Sequence, residues 1–307
     1  MIRDLPEIVA LRHGDLTVEI CPAIGGAITA FHESGPAGRV DWMRPTPEDA
    51  IARRSVLETA CFPLVPFSNR IREGRLRFMG KNYSLPLNHP PERHSLHGDG
   101  WQHPWRLEEA DGTKAVLSFD GPAGGYPFPY SARQIMELSD AGLRHTIEVT
   151  NRGDGPMPAG IGLHPYFPKA VDTVLTAPVD GMWETDGEVM PVRLLVPPPA
   201  GNDPGHGIRP AETRMDNGFS GWKGTARLDW PGENRSLTIS AGPPLSMLVI
   251  YSPNAPYFCV EPVSHMTDAF NRAEAGEGHT GTVVLAPGET LSGTASFTPR
   301  TGMTASP

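Results

Sequence analysis

The stretch RLRFMGKNYSLPL, residues 75–87, decides the fold class of this protein. On either side of a glycine-containing segment, MGKN, apolar residues alternate with other residues: Leu76, Phe78, Tyr83, Leu85 and Leu87. A period of two places the apolar side chains on one face of a β-strand, and glycine provides the turn between two such strands. The stretch therefore predicts a β-hairpin with one buried face.

The same period of two recurs along the chain and predicts further half-buried strands. Apolar residues alternate in LTVEI at 16–20 and again within 143–149 and 291–297. Residues 236–253, SLTISAGPPLSMLVIYSP, predict two more strands separated at Gly-Pro-Pro, because proline cannot donate to a strand ladder. Only PEDAIARRSVLET, residues 47–59, predicts a helix.

The composition agrees with many short strands joined by turns. The 307 residues include 34 glycines and 34 prolines, spread between short apolar runs, and 38% are hydrophobic. We predict an all-β protein, a large antiparallel β-sandwich whose two sheets bury one face against each other. We also predict one domain over residues 1–307, a surface loop at the proline-rich 196–210, and a flexible tail from about 298 to 307.

Charge and cysteine content exclude several classes of protein. The formal net charge of −9 leaves no basic stripe to neutralise nucleic-acid phosphates. Cys21, Cys61 and Cys259 are far apart and form no C-x-x-C pair, so neither a disulfide framework nor a cysteine zinc site is indicated. We find no signal-peptide core and no apolar run of about 18 residues. We therefore expect a cytoplasmic monomer or homodimer that binds neither membrane nor nucleic acid.

The first candidate binding residues are Asn69 and Arg70, between a proline-bounded segment and a strand. An amide and a guanidinium there could bind ligand oxygens, although an exposed Asn-Arg pair on the surface is the competing interpretation. In HSLHGDGWQHPW, residues 94–105, His97 precedes a glycine turn and follows His94 by three residues. This spacing suits metal ligands on a helix, but Gly-Asp-Gly disfavours a helix, so we predict no metal site.

Two further segments carry titratable side chains. His164 lies in GIGLHPYF, residues 160–167, where the following proline favours an extended backbone. Glu261 closes the apolar run of FCVEP, and a buried carboxylate needs a partner or a chemical role. A histidine hydrogen-bonded in the core and a carboxylate capped by backbone amides are the competing interpretations.

These residues together indicate a polar pocket with aromatic walls, which suits a sugar. Trp101 or Trp105 could provide an apolar wall, or both could belong to the core. The chain contains no G-x-S-x-G elbow, no Walker loop, no H-E-x-x-H and no clean G-x-G-x-x-G after a strand.

The order of the motifs resembles the aldose 1-epimerase (galactose mutarotase) family over most of the chain. The motifs are NRI at 69–71, F-x-G-x-x-Y-x-L at 78–85, LHG at 96–98, LHPYF at 163–167, MDNGF at 215–219 and CVEP at 259–262, followed by Asp268 and Asn271. The resemblance implies the family's β-supersandwich and no metal or organic cofactor.

The resemblance also implies a mechanism for interconverting the α and β anomers of a sugar. Opening a pyranose hemiacetal requires a base at the anomeric hydroxyl and an acid at the ring oxygen. By resemblance, Glu261 is the base and His164 is the acid, and His97 lies near the ring oxygen. Substrate-binding residues follow in the same way: Asn69, Arg70, Asp216 and Trp101.

The sequence departs from the galactose-type pattern and leaves the sugar open. Gly98 is followed by Asp99 rather than a second glycine, and the glutamate segment reads EPVSHMTDAFN. Arg72, Arg75 and Arg77 follow Arg70 closely, so an epimerase for a phosphorylated or sulfonated hexose is one alternative. A catalytically silent sugar-binding protein on the same sandwich is the other.

Overall fold

The computed structural model describes residues 5–36, 38–121 and 125–302, and strands dominate it. The first strands are β1 (Val9–His13), β2 (Leu16–Cys21), β3 (Ala27–Gly35), β4 (Gly38–Asp41), β5 (Cys61–Leu64), β6 (Arg70–Ile71), β7 (Arg75–Phe78), β8 (Lys81–Ser84), β9 (Ser95–Leu96), β10 (Arg106–Ala110), β11 (Lys114–Asp120), β12 (Tyr130–Ser139) and β13 (Gly142–Asn151). The others are β14 (Met157–Ala159), β15 (Gly162–Pro168), β16 (Val174–Thr176), β17 (Gly181–Thr185), β18 (Pro191–Leu195), β19 (Met215–Ser220), β20 (Thr225–Trp230), β21 (Arg235–Ala241), β22 (Met247–Ser252), β23 (Tyr257–Val263), β24 (Val283–Leu285) and β25 (Thr290–Thr301).

Two large antiparallel sheets organise these strands. The 11-stranded sheet has the order β1-β2-β3-β5-β15-β23-β22-β19-β17-β18, with β4 paired to β3. The 8-stranded sheet has the order β10-β11-β12-β13-β25-β21-β20-β16. Two-stranded pairs join β14 to β24, β6 to β9, and β7 to β8. The predicted all-β antiparallel sandwich is confirmed.

The segments with a period of two bury the apolar residues from which the strands were predicted. On β13, Leu143, Ile147 and Val149 are buried, and on the neighbouring β25 so are Ala295 and Phe297. Full burial of such an apolar side chain stabilises the fold by roughly 1.5–3 kcal/mol. A slip of one residue would move each of them to the opposite face, so burial fixes the register of these two strands.

The opening hairpin is confirmed as β7 and β8, with Phe78 paired to Lys81 across the turn. Leu76 and Phe78 are buried, whereas Arg75 and Arg77, on the other face of β7, are exposed. Asn271 fastens the hairpin to the rest of the molecule, since its side chain accepts from Arg77 N–H (2.7 Å) and donates to the Arg75 carbonyl (2.9 Å).

The helices differ from the sequence prediction. The helix expected over 47–59 is confirmed only as α1 (Glu48–Arg53), because Arg54 takes a left-handed conformation (φ 57°) that ends it. A second six-residue helix, α2 (Ala269–Glu274), is too short to show a helical period and was not predicted. Among the described residues, no helix has the length and apolarity to cross a membrane.

The prediction of a flexible tail from about residue 298 is wrong in part. β25 continues to Thr301, which pairs with Arg235 on β21, so residues 298–301 belong to the 8-stranded sheet. The ladder to a neighbouring strand provides backbone partners that the polar sequence of this end did not reveal. Residues 303–307 lie outside the described residues. The proline-rich 196–210 connects β18 to β19, as predicted, and includes a 3₁₀ turn at Pro204–His206.

Candidate active site

His164 and Glu261 meet on one face of the 11-stranded sheet. In the antiparallel pair of β15 and β23, Tyr166 is opposite Cys259. His164 precedes Tyr166 by two residues and Glu261 follows Cys259 by two, so both lie on the same face of adjacent strands. On its other side, His164 is paired with Phe62 of β5.

The two side chains form a buried acid–base pair. His164 Nε2 lies 3.4 Å from Glu261 Oε1, and the two side chains are only 9% and 3% exposed. Polar contacts of this length often shorten once a ligand is bound. The pair is therefore placed for proton exchange.

Burial disfavours the charged form of both groups. It raises the pKa of Glu261 well above its usual range; the charge of Asp216 adds to this effect, and Arg70 opposes it. Burial also lowers the pKa of His164 to about 3. Burial therefore favours the uncharged form of the pair, a protonated Glu261 beside a neutral imidazole.

Side chains, most of them from distant parts of the chain, hold the segment that carries Asn69 and Arg70. Backbone N–H groups of this segment donate to side-chain acceptors: Ser68 to His265 Nε2 (3.0 Å), Asn69 to His97 Nδ1 (3.0 Å), Arg70 to Asn69 Oδ1 (2.9 Å), Arg72 to Asp268 Oδ1 (3.1 Å) and Glu73 to His94 Nδ1 (3.0 Å). A histidine nitrogen accepts only when it carries no proton, so His94, His97 and His265 serve here as neutral acceptors.

Asn69 and His97 lock each other in place. Both residues have left-handed backbones, with φ of 56° and 59°. The His97 N–H donates to the Asn69 carbonyl (2.8 Å), and the Asn69 N–H donates to His97 Nδ1. Because Nδ1 accepts, the proton of neutral His97 is on Nε2, which is left as a hydrogen-bond donor. Burial, followed by the charges of His164 and Arg70, lowers the pKa of His97 and keeps the ring neutral.

The position next to His97 requires a glycine, Gly98. It has φ of +67°, and a Cβ there would lie 2.2 Å from the Val65 carbonyl oxygen. Both the conformation and the close approach require glycine. The loop can therefore follow Val65 closely while it presents His97.

Gly98→Ala is expected to lower the free energy of unfolding more than Gly14→Ala, by at least about 1 kcal/mol, because of overpacking. Gly14 shares the positive φ (+56°), but a Cβ there meets nothing within 4 Å, so it isolates the conformational cost. Urea unfolding of both variants measures the difference. Equal losses would show that the contact with Val65 is relieved at no cost.

Arg70 is held on three sides. Its Nε donates to Glu92 (3.1 Å), its Nη1 donates to Asn69 Oδ1 (3.3 Å), and its Nη2 lies 3.6 Å from Asp216. Asp216 belongs to β19, where it pairs with Tyr251 of β22. Two carboxylates therefore already compensate the guanidinium charge.

These residues surround a cavity of about 270 Å³. Its lining comprises Leu57, Asn69, Arg70, His89, Glu92, Leu96, His97, His164, Tyr166, Asp216, Val249, Tyr251, Tyr257 and Glu261. The sequence motifs predicted no role for His89, Glu92 and the three tyrosines. Tyr166 could have been found from its spacing of two from His164 on one strand. No local pattern identifies the others.

The structure does not support the predicted contact of Trp101 with substrate. Trp101 is 1% exposed and is not among the lining residues of the cavity. Its indole N–H is directed to the carbonyls of Leu96 (3.2 Å) and Gly98 (3.1 Å), and its ring stacks on Phe62 at 5.5 Å. Trp101 therefore supports the His97 loop from behind. Trp105 is also buried and stacks on Phe119.

The other basic residues near Arg70 in sequence lie outside this cavity. Arg72 is 45% exposed and lies 3.7 Å from Asp186, and Arg75 is 82% exposed beside Glu73. Arg77, on the same face of β7, is exposed as well. Alternation along the strand sends the last two to solvent.

One group of side chains, which includes two lining residues of the cavity, has the composition of a metal site. Potential ligand atoms of His164, Cys259 and Glu261 lie within 4.8 Å of one another. Thiolate, rather than thiol, is the metal ligand, and burial raises the pKa of Cys259 well above its usual range. Burial likewise raises the pKa of Glu261, which disfavours the carboxylate that a metal would need. This donor set does not fit a metal, and we assign none to it.

The two antiparallel sheets define a β-sandwich protein, and known proteins share this fold. A family model for aldose 1-epimerase matches residues 7–298. YphB of Escherichia coli K12, itself uncharacterised, is 31% identical over 292 residues, which cover 92% of this chain and 95% of YphB. The chain therefore belongs to the aldose 1-epimerase family.

Solved structures share the fold. A candidate aldose 1-epimerase of Escherichia coli K12 superposes with a TM-score of 0.86 and 28% identity, over 96% of this chain and 99% of that protein. A galactose mutarotase-like protein of Clostridium acetobutylicum gives a TM-score of 0.83 and 20% identity, over 96% of this chain and 95% of the other. The predicted family resemblance is confirmed.

Proposed function

We propose that this protein is an aldose 1-epimerase that interconverts the anomers of a neutral sugar, with Glu261 as base and His164 as acid. The observation that carries the proposal is the buried Glu261–His164 pair, 3.4 Å apart, in the wall of a polar cavity. Family membership supports the reaction class.

The chemistry balances with these two groups alone. Glu261 removes the proton from the anomeric hydroxyl while the bond between C1 and the ring oxygen breaks, and His164 gives a proton to the ring oxygen. The open aldehyde turns about its C1–C2 bond and closes from the other face. During closure, His164 takes the proton back and Glu261 returns one to the carbonyl oxygen.

Apart from the proton that a neutral imidazole keeps, the pair carries one transferable proton throughout this cycle. Before ring opening the proton is on His164, and after opening it is on Glu261. The uncharged form that burial favours is therefore the form that closes a ring. A bound cyclic sugar requires the proton to move to His164, and polar hydroxyls in the cavity stabilise that charged form.

Other groups are placed to bind the sugar hydroxyls and the ring oxygen. The His97 Nε2 proton is a fixed donor near His164, since the centroids of the two imidazole rings are 5.3 Å apart. Arg70, steadied by Glu92, presents its remaining donors, and Asp216 presents acceptors. We assign His97 to the oxygen that develops charge, and Asn69, Arg70 and Asp216 to hydroxyls.

The charges of the cavity favour a neutral sugar over an anionic one. Among the lining residues, Arg70 is the only arginine or lysine, and it already contacts Glu92 and Asp216. A phosphate or sulfonate would need a cationic fork without such competition. Arg72, the next arginine, is paired with Asp186 outside the cavity.

Polarimetry of freshly dissolved α-glucose and α-galactose, with and without the protein, tests the proposal. Faster rotation change with the protein is the expected result. If neither sugar responds, hexose 6-phosphates, sulfonated hexoses and pentoses follow. A response to the anionic sugars alone would overturn the neutral-sugar assignment. Binding by calorimetry with no response to any sugar would identify a silent binder.

Arg70→Ala is expected to raise the half-saturating sugar concentration about tenfold or more, because charge-assisted hydrogen bonds contribute about 1.5–3 kcal/mol each. Initial rates at increasing sugar concentration measure the change. Arg72→Ala, which removes an exposed arginine outside the cavity, is the matched control and should leave this concentration unchanged. An unaltered value in Arg70→Ala would place that guanidinium outside the binding site.

A further inference from the structure

Arg44 lies beneath the tyrosines that line the cavity. It follows β4, and its guanidinium carbon is 3.8 Å from the centroid of the Tyr166 ring and 4.5 Å from that of Tyr257. Both tyrosines line the cavity, whereas Arg44 is not among the lining residues. The cation is therefore covered by two aromatic rings.

Backbone contacts fix the position of this cation. Nη2 of Arg44 donates to the carbonyls of Leu57 (2.7 Å) and Thr59 (2.6 Å), and the Arg44 N–H donates to the Tyr166 carbonyl (2.8 Å). No carboxylate group accepts from its guanidinium among the contacts of the described residues. Its charge is thus held in place and directed at aromatic faces rather than neutralised by an acid.

Tyr166 connects Arg44 to the acid of the proposed reaction. The rings of Tyr166 and His164 stack with centroids 4.7 Å apart and planes 21° from parallel. Phe62 lies against the same imidazole at 4.5 Å. The orientation of His164 therefore depends on a ring that Arg44 holds from behind.

We propose that Arg44 is a positioning residue that acts through Tyr166 on His164, fixing the imidazole plane and favouring departure of its proton. This inference rests on the proposed function. A ring oxygen is a very weak base, so a fixed positive charge that destabilises the imidazolium assists the transfer of its proton.

Among the groups around His164, Arg44 has a specific electrostatic effect on the imidazole. The titratable and charged groups around the imidazole are Glu261 and Cys259 on β23, His97 on its loop, Tyr166 on its own strand, and Arg44 behind Tyr166. Arg44 is the only one of these with a permanent positive charge. Burial lowers the pKa of His164 first, and the charge of Arg44 lowers it further.

The test compares Arg44→Met, which removes the charge, with Arg44→Lys, which keeps it. The His164–Glu261 pair titrates as a unit, and a nearby cation favours proton loss in both of its steps. In Arg44→Met, both limbs of the pH profile of kcat should move to higher pH, on the order of one pH unit. Arg44→Lys should keep the wild-type limbs with a lower kcat, because an ammonium cannot replace the planar stack.

Two results would overturn the proposal. One is an unchanged pH profile and kcat in Arg44→Met. The other is an equal loss of kcat in both variants with both limbs in place, which a purely structural role would give. If Arg44→Met does not fold, Arg44→Gln, which is uncharged and can donate to one of the two carbonyls, takes its place.

A second measurement separates this inference from the proposed function. NMR titration of the His164 ring in wild type and in each variant follows the imidazole without any sugar or turnover. A higher titration midpoint in Arg44→Met than in Arg44→Lys supports the link from Arg44 to His164 even if no sugar responds in polarimetry. Identical midpoints would refute the link even in an active enzyme.

Discussion

Glu261→Gln is expected to lower kcat by about 10²- to 10⁴-fold, the usual contribution of a general base, while the protein still binds its sugar. Glutamine has nearly the same shape but cannot take the anomeric proton. Its amide can still lie beside His164 Nε2, now 3.4 Å from a carboxylate oxygen. Polarimetry gives the rate and calorimetry gives the affinity for the same sugar.

Glu212→Gln is the matched control for this change. Glu212 is 66% exposed and faces Arg209 on the surface, so its loss should alter neither rate nor affinity. Retention of wild-type turnover in Glu261→Gln would remove the glutamate from the mechanism. Loss of binding together with turnover would instead assign it a role in holding the sugar.

His164→Ala is expected to reduce kcat by a similar factor, about 10²- to 10⁴-fold, because the ring oxygen loses its proton donor. The remaining activity should lose the pH limbs that belong to the pair. Since the two residues act as one unit, the double variant Glu261→Gln/His164→Ala should be little slower than either single variant.

His206→Ala provides the control, because the His206 side chain is 88% exposed and hydrogen-bonds to Asp203 away from the cavity. Multiplication of the two losses in the double variant would mean that the residues act independently. Full activity in His164→Ala would transfer the acid role to another group in the cavity.

Much of the fold followed from local pattern. The strands at 16–20, 143–149 and 291–297 form where alternation predicted them, and the hairpin predicted over 75–87 forms over residues 75–84. Alternation is reliable here because each strand buries one face against the core. The prediction of a tail was wrong because residues 298–301 pair with β21, a strand about sixty residues away in sequence that local pattern does not reveal.

The candidate site was only partly predictable. The sequence proposed His164, Glu261, His97, Asn69, Arg70 and Asp216, and the structure brings these six to one cavity. The prediction for Trp101 was wrong because an apolar ring beside a glycine turn can equally face the core. Glu92 and Tyr257 were missed because neither lies in a motif, and only the folded chain places them beside Arg70 and Tyr166.

The sequence by itself determined the strand pattern, the family and the residue types available for acid–base chemistry, because these depend on periodicity and on motif order. Only the tertiary structure decided which nitrogen of His97 carries the proton, how the charge of Arg70 is compensated, and where Arg44 lies. Each of these depends on contacts between residues far apart in sequence, such as Asn69 with His97 and Arg70 with Asp216. Burial, which shifts the proton affinities of Glu261 and His164, is likewise a property of the folded chain alone.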